Sequence, residues 1–98
     1  MTTALYARTA TGYTTDQIAE LEAYCQDKGW TVSRIYSDAG VSGLTTDRHA
    51  LKEMMQDVRC GKISRVIVSG HDRLSRRPQD AVEIIVTLIE NNVELITV

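Results

Sequence analysis

The sequence lacks the features that mark a secreted, fibrous or membrane-spanning chain. Its 98 residues include one proline and six glycines in a composition that is 43% hydrophobic and 24% charged, which excludes a disordered, collagen-like or repetitive chain. No apolar run approaches the roughly 18 residues that a membrane span needs. The N-terminus has no basic flank before an apolar core, so we predict no signal peptide. These absences predict one small cytoplasmic domain with no membrane partner.

Residues suited to bind a metal or a phosphorylated cofactor are also scarce. Cys25 and Cys60 have no metal-ligand spacing, and His49 and His71 are the only imidazoles. We therefore expect no metal and no cofactor, and we interpret both cysteines as buried free thiols. The stretch 40–43 has two glycines after a strand but no third glycine and no immediate helix, so it is not a phosphate-binding loop of the P-loop or dinucleotide type.

Hydrophobic periodicity alternates between strand and helix along the whole chain. The predicted strands are 3–7, 30–36, 65–69 and 93–98; the predicted helices are 16–28, one that starts at Thr46 or Asp47 and ends before Gly61, and one between the loop 70–78 and Asn91. The order βαβαβαβ predicts an α/β fold, a mainly parallel open sheet with helices on both faces.

Apolar residues at helical spacing predict the buried face of each helix. Gly29 is placed as the residue that ends the first helix. The predicted inward residues are Ile18, Leu21, Tyr24 and Cys25 in the first helix, Leu51, Met54, Met55 and Val58 in the second, and Val82, Ile85, Val86 and Ile89 in the third.

The net charge of −2 hides an uneven distribution of arginine. The loops 9–15, 37–47 and 70–78 follow the first three strands, and in parallel sheets ligands bind at the carboxyl ends of the strands. Guanidinium groups gathered there predict an oxygen-rich anion, a phosphate or a phosphodiester. Five arginines fall at this end, namely Arg8, Arg48, Arg73, Arg76 and Arg77, and three fall elsewhere and are predicted to be solvated, namely Arg34, Arg59 and Arg65.

Two carboxylates accompany these arginines. Asp38 ends the second strand and Asp72 immediately precedes Arg73. Either could orient an arginine through a charge-assisted hydrogen bond, and Asp72 could transfer a proton. The alternative for both is a solvated loop carboxylate.

Three ordered motifs resemble those of the serine recombinases, the family of resolvases, invertases and large serine integrases. They are Tyr6-Ala7-Arg8, then Asp38-Ala39-Gly40-Val41-Ser42-Gly43 with Arg48 and Leu51, then Asp72-Arg73-Leu74-Ser75-Arg76. The resemblance covers essentially the whole chain and implies a three-layer, flavodoxin-like fold. It also implies site-specific DNA strand exchange, in which a serine attacks a phosphodiester and homodimers assemble into tetramers.

The resemblance also implies roles for individual residues. Arg8, Arg48, Arg73 and Arg76 would bind the phosphate, Asp72 would be the acidic partner that protonates the leaving oxygen, and Gln17 would help to organise the site. The family extends beyond the part matched here, so we expect residues 1–98 to be the N-terminal part of a catalytic domain.

One position departs from the family pattern. The nucleophilic serine is expected two residues after Arg8, and Ala10 stands there, between Thr9 and Thr11. A methyl group cannot attack phosphorus, and a flanking threonine on an extended segment points elsewhere, so we expect no DNA cleavage. Two interpretations stay open: cleavage is silenced in an otherwise intact site, or the chain is a degenerate homologue that binds DNA or a partner without cutting. A third hypothesis is an unrelated flavodoxin-like domain that binds a small phosphorylated ligand.

Overall fold

Strands and helices alternate in the computed structural model as the periodicity predicts. The structure describes residues 2–9, 12–40, 49–70, 73–75 and 77–98. Within these ranges the elements are β1 (Thr3–Thr9), α1 (Thr15–Lys28), β2 (Val32–Ala39), α2 (His49–Arg59), β3 (Arg65–Val68), α3 (Pro78–Glu90) and β4 (Glu94–Thr97).

The four strands form one parallel sheet in the order β2-β1-β3-β4. The predicted α/β fold class is therefore confirmed. β1 lies in the interior of the sheet, and its residues from Thr3 to Arg8 are at most 1% exposed. A strand covered on both faces needs apolar or fully partnered residues at every position, which explains why β1 shows no alternation.

The helices cover the two faces of the sheet unequally. α2 and α3 enclose the larger core, in which Tyr6 and Val66 from the sheet meet Met54 and Leu88 from the helices. α1 packs on the other face, where Leu21 and Cys25 belong to a smaller core with Leu5 and Ile67. These are the three layers that the sequence predicts.

β1 and β2 continue further than their apolar residues indicate. Their parallel register pairs Arg8 with Asp38 and Thr9 with Ala39, so both strands include polar residues that the sequence assigns to the following loops. α1 ends as predicted: Gly29 has φ 75°, and the amides of Gly29 and Trp30 donate to the carbonyls of Gln26 and Cys25. A positive φ favours glycine, which has no Cβ.

The predicted inward face of α3 is wrong. Ile84 and Leu88 are the buried residues of this helix, and Ile85 is partly buried against the core. Val82, Val86 and Ile89 are 60%, 44% and 66% exposed. α3 carries apolar residues around most of its circumference, so two different sets of positions fit the helical period, and contact with the sheet selects between them.

Two other burial predictions need correction. Cys25 is buried as expected, but Cys60 is exposed, because it lies in the turn that follows α2. The side chain of Arg65 is not solvated. Only 11% of it is exposed, and its guanidinium carbon lies 3.6 Å from the centre of the Trp30 ring, a cation–π contact.

No helix within the described ranges combines the length and the hydropathy that crossing a bilayer requires.

Candidate functional site

The sheet order places a topological switch point between β1 and β3. These strands are neighbours, yet the chain leaves β1 through α1 on one face and leaves β3 towards α3 on the other. The loops that follow such a pair separate and open a crevice at the carboxyl ends of the strands. Arg8 lies at that end of β1, and Ser69 and Arg73 follow β3.

The backbone of Arg8 is held by two side chains from distant segments. The Gln17 side-chain amide donates from Nε2 to the Arg8 carbonyl at 3.0 Å, and its Oε1 accepts the Arg8 N–H at 3.1 Å. A guanidinium nitrogen of Arg73 also donates to the Arg8 carbonyl at 3.2 Å. Gln17 therefore pairs with both backbone groups of Arg8, as a neighbouring strand would. Three of the predicted site residues thus meet at the switch point.

Arg73 is also held by the residues that directly follow β3 and by its neighbour in the core. Its Nε donates to the Ser69 hydroxyl at 3.4 Å, and its amide donates to the Gly70 carbonyl at 3.2 Å. The next residue, Leu74, is fully buried in the larger core. Burial of Leu74 therefore fixes this segment to the core and holds Arg73, the residue before it, at the crevice.

Arg8 itself is completely buried. A buried guanidinium is costly unless it is well hydrogen-bonded, and the bonds from Gln17 and Arg73 engage the backbone of Arg8 and not its guanidinium.

Asp38 has partners that sequence reasoning missed. Its carboxylate accepts the hydroxyl of Tyr6 at 2.7 Å and the backbone amides of Ala50 and Leu51 at 3.0 and 3.1 Å. These bonds hold the start of α2, whereas the sequence suggested an arginine as the partner or a solvated carboxylate. The solvated alternative is wrong, because Asp38 is only 5% exposed.

The hydroxyl of Thr9 links the ends of two loops. It donates to the Gly12 carbonyl at 3.2 Å and accepts the Gly40 amide at 3.4 Å. Its proton is therefore engaged with a carbonyl rather than with a base, which argues against Thr9 as a substitute nucleophile.

The other predicted site residues lie outside the described ranges. They are Ala10, Arg48, Asp72 and Arg76, and Thr11 lies outside as well. Arg77, which the sequence grouped with the site arginines, is an exposed residue at the N-terminal boundary of α3.

Two of the arginines predicted to lie elsewhere form ion pairs with residues that are not among the predicted site residues. Arg34 pairs with Asp57 of α2 at 3.5 Å, and Arg65 pairs with Glu94 of β4 at 3.4 Å. Among the described residues, no three histidine, cysteine or carboxylate side chains converge as metal ligands.

The family model for the resolvase N-terminal domain matches residues 3–98. The chain belongs to this family. The predicted resemblance to the serine recombinases is therefore confirmed, and an unrelated flavodoxin-like domain has no remaining support. No curated protein matches the chain.

Solved serine recombinase catalytic domains share this resolvase fold. The N-terminal catalytic domain of TP901-1 integrase is 31% identical with a TM-score of 0.91, over 99% of this chain and 77% of that one. The C-terminal catalytic domain of ISC1926 TnpA, an IS607-like serine recombinase, is 25% identical with a TM-score of 0.91, and the match covers 99% of this chain and 67% of that one. A resolvase family site-specific recombinase from Streptococcus pneumoniae is 26% identical with a TM-score of 0.86, and the match covers 100% of this chain and 72% of that one.

Proposed function

We propose that this resolvase-family chain is the N-terminal part of a site-specific DNA recombinase catalytic domain, with a phosphodiester site at the switch point between β1 and β3. The observation that carries the proposal is the hydrogen bond from the Arg73 guanidinium to the Arg8 carbonyl, because it joins two arginines from different motifs at a ligand-binding crevice. Arg48 and Arg76 complete the phosphate-binding set. A site of this kind acts on DNA within a homodimer or tetramer of the full-length protein.

The proposed chemistry separates phosphate binding from cleavage. In cleavage, a serine hydroxyl loses its proton to water and its Oγ attacks phosphorus, the bond from phosphorus to the 3′ oxygen breaks, and a proton passes to that oxygen to leave a free 3′-hydroxyl and a 5′-phosphoserine. The arginines stabilise the charge on the phosphoryl oxygens, and Asp72 supplies the proton. Ala10 offers no lone pair for the attack. The chain as it stands therefore binds DNA without cutting it.

An NMR titration with a short DNA duplex tests the binding half of the proposal. The signals of the arginine Nε–H groups are followed as duplex is added at low salt, where phosphate contacts are strongest. We expect selective shifts at Arg8, Arg48, Arg73 and Arg76. Shifts confined to Arg34, Arg59 and Arg65, or no shifts, would refute an assembled phosphate site.

Substitution of Ala10→Ser tests the cleavage half. In the full-length protein with duplex DNA that carries its recombination site, we expect a covalent protein–DNA adduct that survives denaturation, while the unaltered protein gives none. Ala10→Gly is the matched control, since it changes the same position without adding a hydroxyl.

A non-catalytic DNA- or partner-binding module is the second candidate, and Ala10 is the observation that favours it. The two candidates differ in the outcome of the Ala10→Ser experiment. A variant that binds DNA with shifts at the four arginines but forms no adduct identifies a site that has lost more than its nucleophile.

A further inference from the structure

The first turn of α1 has the sequence of a reciprocal helix cap whose side chains the structure uses elsewhere. Thr14 is the N-cap residue of α1 and Gln17 lies three residues later. At this Thr-x-x-Gln spacing each side chain normally bonds the backbone amide of the other residue. The Thr14 side chain makes no capping bond, and the Gln17 amide group pairs with the backbone of Arg8. Both side chains of the pattern are therefore directed away from the helix.

The Thr14 hydroxyl bonds a neighbouring strand. It shares a hydrogen bond with the hydroxyl of Ser37 in β2, and Thr14 is only 6% exposed. Ser37 is paired in the sheet with Ala7, the residue before Arg8. One turn of α1 thus bonds β2 through Thr14 and β1 through Gln17, at adjacent rows of the sheet.

Apolar packing covers β1 with α1 more completely than it covers β2. Side chains two residues apart on a strand share a face, so Ile35 lies on the same side of the sheet as Ser37. Leu5, the partner of Ile35 in β1, is fully buried in the smaller core with residues of α1, whereas Ile35 is 47% exposed. The bond between Thr14 and Ser37 therefore links the start of α1 to a strand that the helix leaves partly open.

This link bears on the candidate site because Gln17 extends from the same turn. A helix that required only capping would use both side chains on its own amides, whereas here both are used on the two strands. We propose that Thr14 and Ser37 are a pair of positioning residues that hold the first turn of α1 across β1 and β2, and so keep Gln17 on the Arg8 backbone for phosphate binding. This inference rests on the proposed function of the same site.

The experiment compares the unaltered chain with Thr14→Val, Ser37→Ala and the double variant. Hydrogen exchange of the Arg8 amide, measured relative to the amides of α1, reports on its bond to Gln17, and the side-chain amide signals of Gln17 report on the same bond. Affinity for a short DNA duplex at low salt reports on phosphate binding. We expect each single substitution to speed exchange at Arg8 about tenfold and to weaken duplex binding about threefold. The double variant should bind no more weakly than the single ones, because both substitutions remove the same bond.

Two further variants separate position from stability. Thr15→Val makes the same substitution at the next residue, which is exposed, and Thr14→Ser keeps the hydroxyl. We expect both variants to match the unaltered chain in duplex affinity and in exchange at Arg8. Loss of helix stability alone would speed exchange along α1 together with Arg8, whereas loss of position speeds exchange at Arg8 and leaves α1 unchanged.

Several outcomes would overturn the inference. They are equal duplex affinities in Thr14→Val and Thr15→Val, unchanged exchange at Arg8, or additive losses in the double variant. If Thr14→Val does not fold, Ser37→Ala, which alters an exposed residue, decides by the same two measurements. Absence of selective shifts at Arg8 and Arg73 when duplex is added to the unaltered chain instead refutes the proposed function, and this inference with it.

Discussion

At the scale of single residues, Gln17 shows how a polar side chain can complete a sheet. Both backbone groups of Arg8 are hydrogen-bonded by the Gln17 amide, at the position where β1 gives way to a loop. Backbone groups buried without a partner cost about 1–3 kcal/mol each. Gln17 therefore stabilises the strand end as well as the site.

Substitution of Gln17→Ala should lower the free energy of unfolding by about 1–2 kcal/mol, because the Arg8 N–H loses its partner while the Arg8 carbonyl keeps Arg73. Urea denaturation measures the difference. Gln26→Ala is the control, since Gln26 is an exposed residue of the same helix and should change stability by less than about 0.5 kcal/mol. Equal effects at the two positions would contradict the role of Gln17.

Tyr36 should make stability depend on alkaline pH. Burial, and then the hydrogen bond to Asp57, raise the pKa of Tyr36 to about 12, above the ordinary tyrosine value of ~10. Between these two pH values the unfolded chain releases the phenolic proton and the folded chain retains it. Stability is therefore complete below pH ~10 and falls as pH rises towards the folded pKa, by up to ~1.4 kcal/mol for each pH unit.

The comparison with Tyr36→Phe isolates this effect from other groups that titrate at high pH. The unaltered chain should be more stable than the variant by about 1 kcal/mol at pH 9, and the difference should vanish near pH 11. Urea denaturation at each pH provides the measurement. A constant difference from pH 9 to pH 11 would show that Tyr36 is not shifted.

At the scale of elements, α3 shows where a hydrophobic pattern fails to choose a face. Ile84 and Leu88 are buried while Val82, Val86 and Ile89 are exposed. In α2 the apolar residues fall on one side only, and all four predicted inward residues are buried. Sequence therefore predicts the buried face of α2 correctly and that of α3 incorrectly. In α2 the side opposite the apolar residues is polar, whereas in α3 apolar residues lie on both the buried and the exposed sides.

Alanine substitutions on the two faces of α3 test this orientation. Leu88→Ala should destabilise the chain by about 2–5 kcal/mol, because it removes fully buried methyl groups and leaves a cavity. Ile89→Ala, one residue further and 66% exposed, should cost less than about 1 kcal/mol. Both free energies come from urea denaturation, and a larger cost for Ile89→Ala would mean that the helix is rotated.

Part of the candidate site could be predicted from local sequence. The part that was missed depends on contacts between residues that are far apart in the chain. Arg8, Arg73 and Gln17 occupy motif positions that predict them to lie together, and the structure places them in contact. The cap that Asp38 forms on α2 was missed because its partners are 12 and 13 residues away. Helix-capping patterns describe neighbours in sequence, so a cap supplied by another strand leaves no such pattern. The extra length of β1 and β2 was missed for a related reason: polar strand ends are stabilised by pairing, not by burial of apolar side chains.

At the scale of the whole molecule, the two cysteines report on the integrity of the α1 layer. Cys60 is exposed and Cys25 is buried, and burial raises the pKa of the Cys25 thiol, so it forms little of the reactive thiolate. A disulfide reagent at neutral pH should therefore label one thiol quickly in the native chain and two in denaturant. Cys60→Ser should abolish the fast phase. Rapid labelling of both thiols without denaturant would show that α1 does not remain packed on the sheet.

The interior place of β1 in the sheet has a consequence for biosynthesis. β1 is synthesised before β2 and β3 and pairs with both, and Arg8 meets a partner 65 residues later in the chain. At ordinary translation speeds that interval is roughly 3–13 s, during which a strand that is buried at six of its seven positions lacks one of its two neighbours in the sheet. Contacts of such long range also slow folding. The crevice between β1 and β3 therefore forms only after β3 has been synthesised, and β1 is the segment that a chaperone would be expected to protect.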